Sequence, residues 1–202
     1  MRTRWYGKNL KPFLVILAIT GGVLAVLFAA MKIYYWNVRQ DLFRDERAAL
    51  ESAEELWAER RPQQYQLVLQ QWFQGIGFSE AENPCEQEYL VIGQQVNQII
   101  NAQNCNQMFD SVPPTIEELF DIANKYLLPD NCGYNGCVCD GPIDTQVRYN
   151  TTLGYPEEIL QRGFLQNEHW RYTDIDIFSP PFCTHLGTGF INFRITTFLP
   201  NE

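Results

Sequence analysis

Pro113–Leu127 reads PPTIEELFDIANKYL. Thr115 stands three positions before Glu118, the spacing of a capping box, in which a hydroxyl and a carboxylate each accept from a backbone N–H at a helix start. Ile116, Leu119, Phe120, Ala123, Tyr126 and Leu127 then recur at one helical face, and Pro129 closes the segment. An amphipathic helix of this kind needs a surface to cover, and on both sides of it the apolar period falls from about 3.6 to 2. Upstream, YQLVLQQWF (Tyr65–Phe73) alternates, and EYLVIGQQVNQII (Glu88–Ile100) reads as one or two strands around Gly93. Downstream come TQVRY (Thr145–Tyr149), GYPEEIL (Gly154–Leu160), YTDIDIF (Tyr172–Phe178) and a terminal strand GFINFRITTFL (Gly189–Leu199). Strands that mostly follow one another without intervening helices predict a mainly antiparallel sheet with one packed helix, an α+β body over residues 62–202.

Further out, Pro12–Met31 reads PFLVILAITGGVLAVLFAAM, without a charge. At about 1.5 Å per residue such a helix spans roughly 30 Å, the thickness of a bilayer's hydrocarbon core. Trp5 and Tyr6 precede it, and Tyr34, Tyr35 and Trp36 follow, as aromatic residues do at the two lipid–water interfaces. The run is longer than a signal-peptide apolar core, and Leu27/Ala29 and Phe28/Ala30 fit a small-residue cleavage site poorly. The expectation is an uncleaved signal anchor over residues 12–31, with residues 1–11 as a cytoplasmic tail. Residues 32–61 contain no Gly or Pro and stay helical in pattern, so they predict a stalk that Pro62 stops. Val38, Leu42, Ala49, Ala53 and Leu56 give the stalk an apolar stripe that Trp57 broadens. Within the span, Gly21, Ala25 and Ala29 share a face with Ala18 and Gly22 beside it, the small-residue spacing that lets a second membrane helix approach. A helical partner, either another copy or another subunit, is expected there.

Residues 1–32 carry five Lys and Arg and no acid; the rest carries ten basic and 24 acidic residues, a net charge of −14. So acidic a body repels phosphate backbones, which argues against nucleic acid. The short basic tail stays in the cytoplasm readily, and all six cysteines follow the span, which points to an oxidising compartment on that side. The body is therefore expected outside the cytoplasm, with the lipid bilayer as the anchor's environment.

Cys85 and Cys105 bracket one strand region and are expected to pair. Among Cys132, Cys137, Cys139 and Cys183, one of the cluster is expected to reach Cys183, with Cys132 bonded within the cluster, most simply to Cys137. The same residues with His185 offer soft metal ligands, but the C-x4-C-x-C spacing is unlike a zinc knuckle, so no metal or other cofactor is expected. No C-x-x-C is present. The two histidines, His169 and His185, and the four serines, Ser52, Ser79, Ser111 and Ser179, form no hydrolase motif. Asp174 and Asp176 share one strand face opposite Ile175 and Ile177 and read as an exposed strand face opposite a core face, in preference to a cation-binding edge or an acid–base pair. Twelve glutamines over residues 63–107 read as solvent-facing strand positions. Asn150-Thr151-Thr152 matches a glycosylation sequon, which matters only in a eukaryotic secretory route.

From Trp57 to Phe178 the order of motifs resembles a family of small bacterial exported proteins and lipoproteins without an assigned activity. The residues that carry the resemblance are Trp57 before R-P-x-x-Y with Tyr65, T-I-E-E-L-F-D-I (Thr115–Ile122), Y-N-x-x-x-G-Y-P (Tyr149–Pro156) with Ile159, and D-I-D. The chain departs from that pattern in its membrane helix in place of a lipidated cysteine, in Asn150 where aspartate is usual, and in its added cysteines. The resemblance implies an exported location and no chemistry. Together these features predict a non-catalytic, membrane-anchored binding or assembly module, of the kind that serves as an accessory subunit of a membrane complex, with a surface ligand-binding domain as the alternative and a hydrolase as a more distant one.

Overall fold

A computed structural model describes residues 10–75, 83–105, 112–132, 142–164 and 189–201. The strand expected at Tyr172–Phe178 lies outside them. The chain divides between Leu42 and Phe43 into two compact units. The first is helix α1, Leu10–Asp41. Its stretch Val15–Tyr34 is long and apolar enough to cross a membrane, and none of that stretch is buried by protein. The Thr20 hydroxyl donates to the Ile16 carbonyl at 2.8 Å, so its proton is satisfied within the helix.

Residues 32–61 are helical in two pieces. The break falls at Leu42–Phe43, and helix α2, Arg44–Arg60, belongs to the second unit. Phe43, Leu50, Ala53 and Trp57 are buried there, whereas Ala49 is exposed. Within α2 the buried side is thus Leu50, Ala53 and Trp57, rotated from the stripe read in the sequence and covered by the second unit itself. Arg61 caps α2, its N–H donating to the Trp57 carbonyl, and Pro62 follows.

The second unit is a six-stranded sheet of β1 (Gln64–Gly75), β2 (Cys85–Ile92), β3 (Gln95–Gln103), β4 (Ile143–Tyr149), β5 (Pro156–Phe164) and β6 (Gly189–Asn201). The order is β3-β2-β1-β6-β5-β4 and every neighbour is antiparallel. The terminal strand β6 therefore closes the centre of the sheet between β1 and β5. Helix α3, Ile116–Tyr126, carries the capping box: Thr115 Oγ1 accepts from the Glu118 N–H at 3.3 Å, and Glu118 accepts from the Thr115 N–H at 2.7 Å. Its buried face is Ile116, Leu119, Phe120 and Ala123.

The core lies between the two helices and one face of the sheet. Tyr65, Leu67 and Leu69 of β1 alternate into it, with Tyr89 and Val91 beside them on β2. Trp57 of α2 meets Tyr65 and Phe198 edge-on at 5.7 and 5.9 Å, and Tyr155 stacks on Phe198 at 4.5 Å. Two buried phenols tie the start of α3 to the sheet: Tyr65 accepts from the Ile116 N–H at 3.3 Å, and Tyr89 donates to the Pro114 carbonyl at 2.5 Å. Burial pushes both phenols above their ordinary pKa, with the charge of Glu117 adding to the shift at Tyr65.

The Tyr149–Pro156 element is the turn that seats α2. Asn150 Oδ1 accepts from the Thr152 and Leu153 N–H groups at 3.0 and 2.8 Å, while its amide donates to Glu157 at 3.0 Å. Gly154 has φ +87 and lies against the α2 backbone; a Cβ there would collide with the Ala53 carbonyl and come within 2.9 Å of the Trp57 nitrogen. Glycine at this position permits both the backbone conformation and the close approach.

Candidate functional site

Cys85 and Cys105 form a disulfide, as their spacing led us to expect. It joins the start of β2 to the residues just past β3 and so staples that hairpin at its open end. Cys132 is disulfide-bonded as well. Its partner lies outside the described residues, as do Cys137, Cys139, Cys183, His169, His185, Asp174 and Asp176. Ala18, Gly21, Gly22, Ala25 and Ala29 lie exposed on α1, and apart from the helix's own backbone and the adjoining residues nothing lies within 4 Å of a Cβ built at either glycine. Among the described residues no three His, Cys, Asp or Glu side chains converge as metal ligands.

The glutamines divide between the two faces. Gln71 and Gln87 are buried, 5% and 3% exposed, and bond to each other at 3.2 Å, so these two are core residues and not solvent-facing ones. An amide pair satisfies itself across two strands where a lone one would be left unpaired. Gln70 belongs to the opposite face and to a row that crosses all six strands by register: Gln103, Glu86, Gln70, Arg194, Glu158 and Arg148. Gln70 donates to Glu86 at 2.8 Å, Arg194 to Glu158 at 2.6 Å, and Arg148 lies 3.8 Å from Glu158. The Arg194 guanidinium also sits 5.1 Å from the Trp72 ring. Sequence reading treated these residues one at a time; only the register, set by strand order, aligns them. Arg194 and Arg148 pair with Glu158, and Glu86 accepts from the neutral Gln70 amide, so each charged group in the row has a partner, which suits a structural ladder better than an acid–base centre.

A cleft of about 190 Å³ opens where α2 hands over to β1, lined by Arg61, Tyr65, Gly93, Gln94 and Glu117. Glu117 accepts from the Trp57 indole at 3.1 Å and lies 3.5 Å from Arg61. With its amide oxygen turned toward the guanidinium, Gln94 accepts from Arg61 Nη2 at 3.0 Å. Binding sites for small molecules run to roughly 300–1,000 Å³ and are mostly apolar. This cleft is smaller and polar, and its wall carries the Arg61–Glu117 ion pair.

The remaining feature is the edge. β3 is the outermost strand beside β2, and all its residues but one are exposed, Ile99 and Ile100 at 39% and 46% among them. Comparison with protein-family models, with characterised proteins and with solved structures finds no match for this chain.

Proposed function

We propose that the chain is a single-pass membrane protein, anchored by α1 with its amino terminus in the cytoplasm, that presents the α+β unit outside the cytoplasm and works there by binding or assembly. The observation that carries this reading is α1: the apolar stretch Val15–Tyr34 has no protein cover. In water such a surface is strongly unfavourable, at about 25 cal/mol for each Å² of apolar area, and lipid removes that cost. The Cys85–Cys105 disulfide and the bonded Cys132 favour an oxidising compartment for the body. The non-catalytic part of the reading draws on the pairing just described, in which Glu158 holds two arginines and Glu86 accepts from Gln70. The rival reading of a ligand-binding domain has the Arg61 cleft in its favour, but that cleft is small for an organic ligand.

A helical partner for the small-residue face of α1 remains part of the proposal. It rests on Gly21, Ala25 and Ala29 alone, because the stripe of α2 is covered by its own sheet. The deciding experiment is external protease on intact cells, with permeabilised cells as control. Digestion of the region after Trp36 in intact cells is expected. Full protection there, with cleavage after permeabilisation, overturns the topology.

A further inference from the structure

We infer that β3 pairs with β3 of a second copy, antiparallel about a two-fold axis through Ile99, so that two sheets join into one. The inference deepens the assembly reading above by naming the partner. Three observations lead to it. First, β3 is an edge strand of nine residues whose outward side has no neighbour among the described residues. Edge strands are usually blunted by lysine, proline, inward charge or bulges. β3 has no charge and no proline; its blunting consists of two irregularities against β2, at Glu88/Tyr89 and Leu90/Val91.

Second, the strand is nearly palindromic. In QVNQIINAQ, pairing about Ile99 sets Gln95 against Gln103, Val96 against Ala102, Asn97 against Asn101, and Ile99 against itself, with Gln98 against Ile100 the one unlike pair. A two-fold interface needs this self-complementarity, since each copy offers the same surface. The faces also agree. Gln95 and Gln103 stand opposite Ile92 and Glu86, on the face away from the helices; Val96 and Ala102 stand opposite Val91 and Gln87, on the helix side. The polar row that ends at Gln103 would therefore continue into the second copy's Gln95, while Ile99, Val96 and Ala102 meet on the other face.

Third, the charge distribution leaves this edge open to a second copy. Residues 33–202 carry a net −14, so two copies repel each other. From Tyr89 to Phe109 the sequence has no charged residue, and β3 lies at the middle of that run. The edge is where like-charged bodies approach at least electrostatic cost. Confinement in one membrane would raise the effective concentration further.

The test uses the full chain in membranes isolated from expressing cells, followed by the detergent-purified protein. Directly opposed residues in an antiparallel pair have Cα atoms about 4.5–5.5 Å apart, within the range of a disulfide. Under mild oxidation Ile99→Cys should give a band at twice the 23.5 kDa chain mass on a non-reducing gel. Gln95→Cys should not, because its own counterpart would lie about 27 Å away at 3.4 Å per residue; wild type under the same oxidation controls for exchange among the native cysteines. Ile99→Lys, at an exposed position that should leave the fold intact, is expected to weaken self-association by sedimentation at least tenfold. A wild type that stays monomeric, equal cross-linking of Gln95→Cys, an Ile99→Cys bond to a different protein, or unchanged association of Ile99→Lys each overturns the pairing. None of these results depends on the protease test, so the topology and the edge fail separately.

Discussion

Replacing Gly154 with alanine should loosen the joint between α2 and the sheet. The new Cβ would meet the Ala53 carbonyl, lie 2.9 Å from the Trp57 nitrogen and 3.1 Å from the Leu56 Cβ. Two of these atoms are helix backbone, so α2 must shift as a body, and Trp57 with it. Overpacking of this kind costs about 1–3 kcal/mol. The φ of +87 adds about 1–2 kcal/mol for a residue with a Cβ. The expected loss is about 2–5 kcal/mol, a large part of the roughly 5–15 kcal/mol that holds a typical domain together. Gly93→Ala is the control: φ is +55, but nothing lies within 4 Å of the added carbon, so only the conformational cost of about 1–2 kcal/mol applies. Denaturant unfolding of the detergent-solubilised chain, followed by circular dichroism and tryptophan fluorescence, measures both. If Gly154→Ala loses no more than Gly93→Ala, the close approach of turn and helix is not what this glycine serves.

Two further outcomes follow from the core and the staple. The double change Cys85→Ser, Cys105→Ser should lower stability by about 3 kcal/mol, since the bond closes a separation of 20 residues; a loss below about 0.5 kcal/mol would mean the hairpin holds without it. Tyr65, Tyr89 and Tyr149 have pKa values raised above 10.0 by burial. Above about pH 10 the unfolded chain releases their protons and the folded chain keeps them, so stability is full below that pH and falls as pH rises. Tyrosinate absorbance during an alkaline titration should show these phenols ionising together with loss of structure; smooth early titration of all ten tyrosines would refute their burial.

The α+β class was legible because its signals are local. Alternation marked β1, β2 and β6, and the Thr115–Glu118 spacing with its apolar stripe marked α3, since caps and periodicity act within a few residues. The Cys85–Cys105 bond was legible from its position around one pair of strands. The stalk was not. Nothing between Lys32 and Arg61 breaks a helix by propensity, yet the helix is interrupted at Leu42–Phe43, and Phe43, Leu50, Ala53 and Trp57 beyond it are buried in the second unit. Burial of four apolar side chains against a distant sheet outweighs one helical turn, and that sheet is assembled from segments up to the last residues of the chain.

The surfaces divide in the same way. The apolar helix, the acidic body and the cysteines placed after that helix are properties of composition and order, and the amino-acid sequence determines them without help. Which glutamines are core and which are surface, the row from Gln103 to Arg148, and the exposed position of β3 depend on strand order, because side chains from residues 70, 158 and 194 become neighbours only when β6 enters between β1 and β5. Periodicity tells each strand which face is apolar; only the folded sheet decides which strands lie side by side and which one is left at the edge.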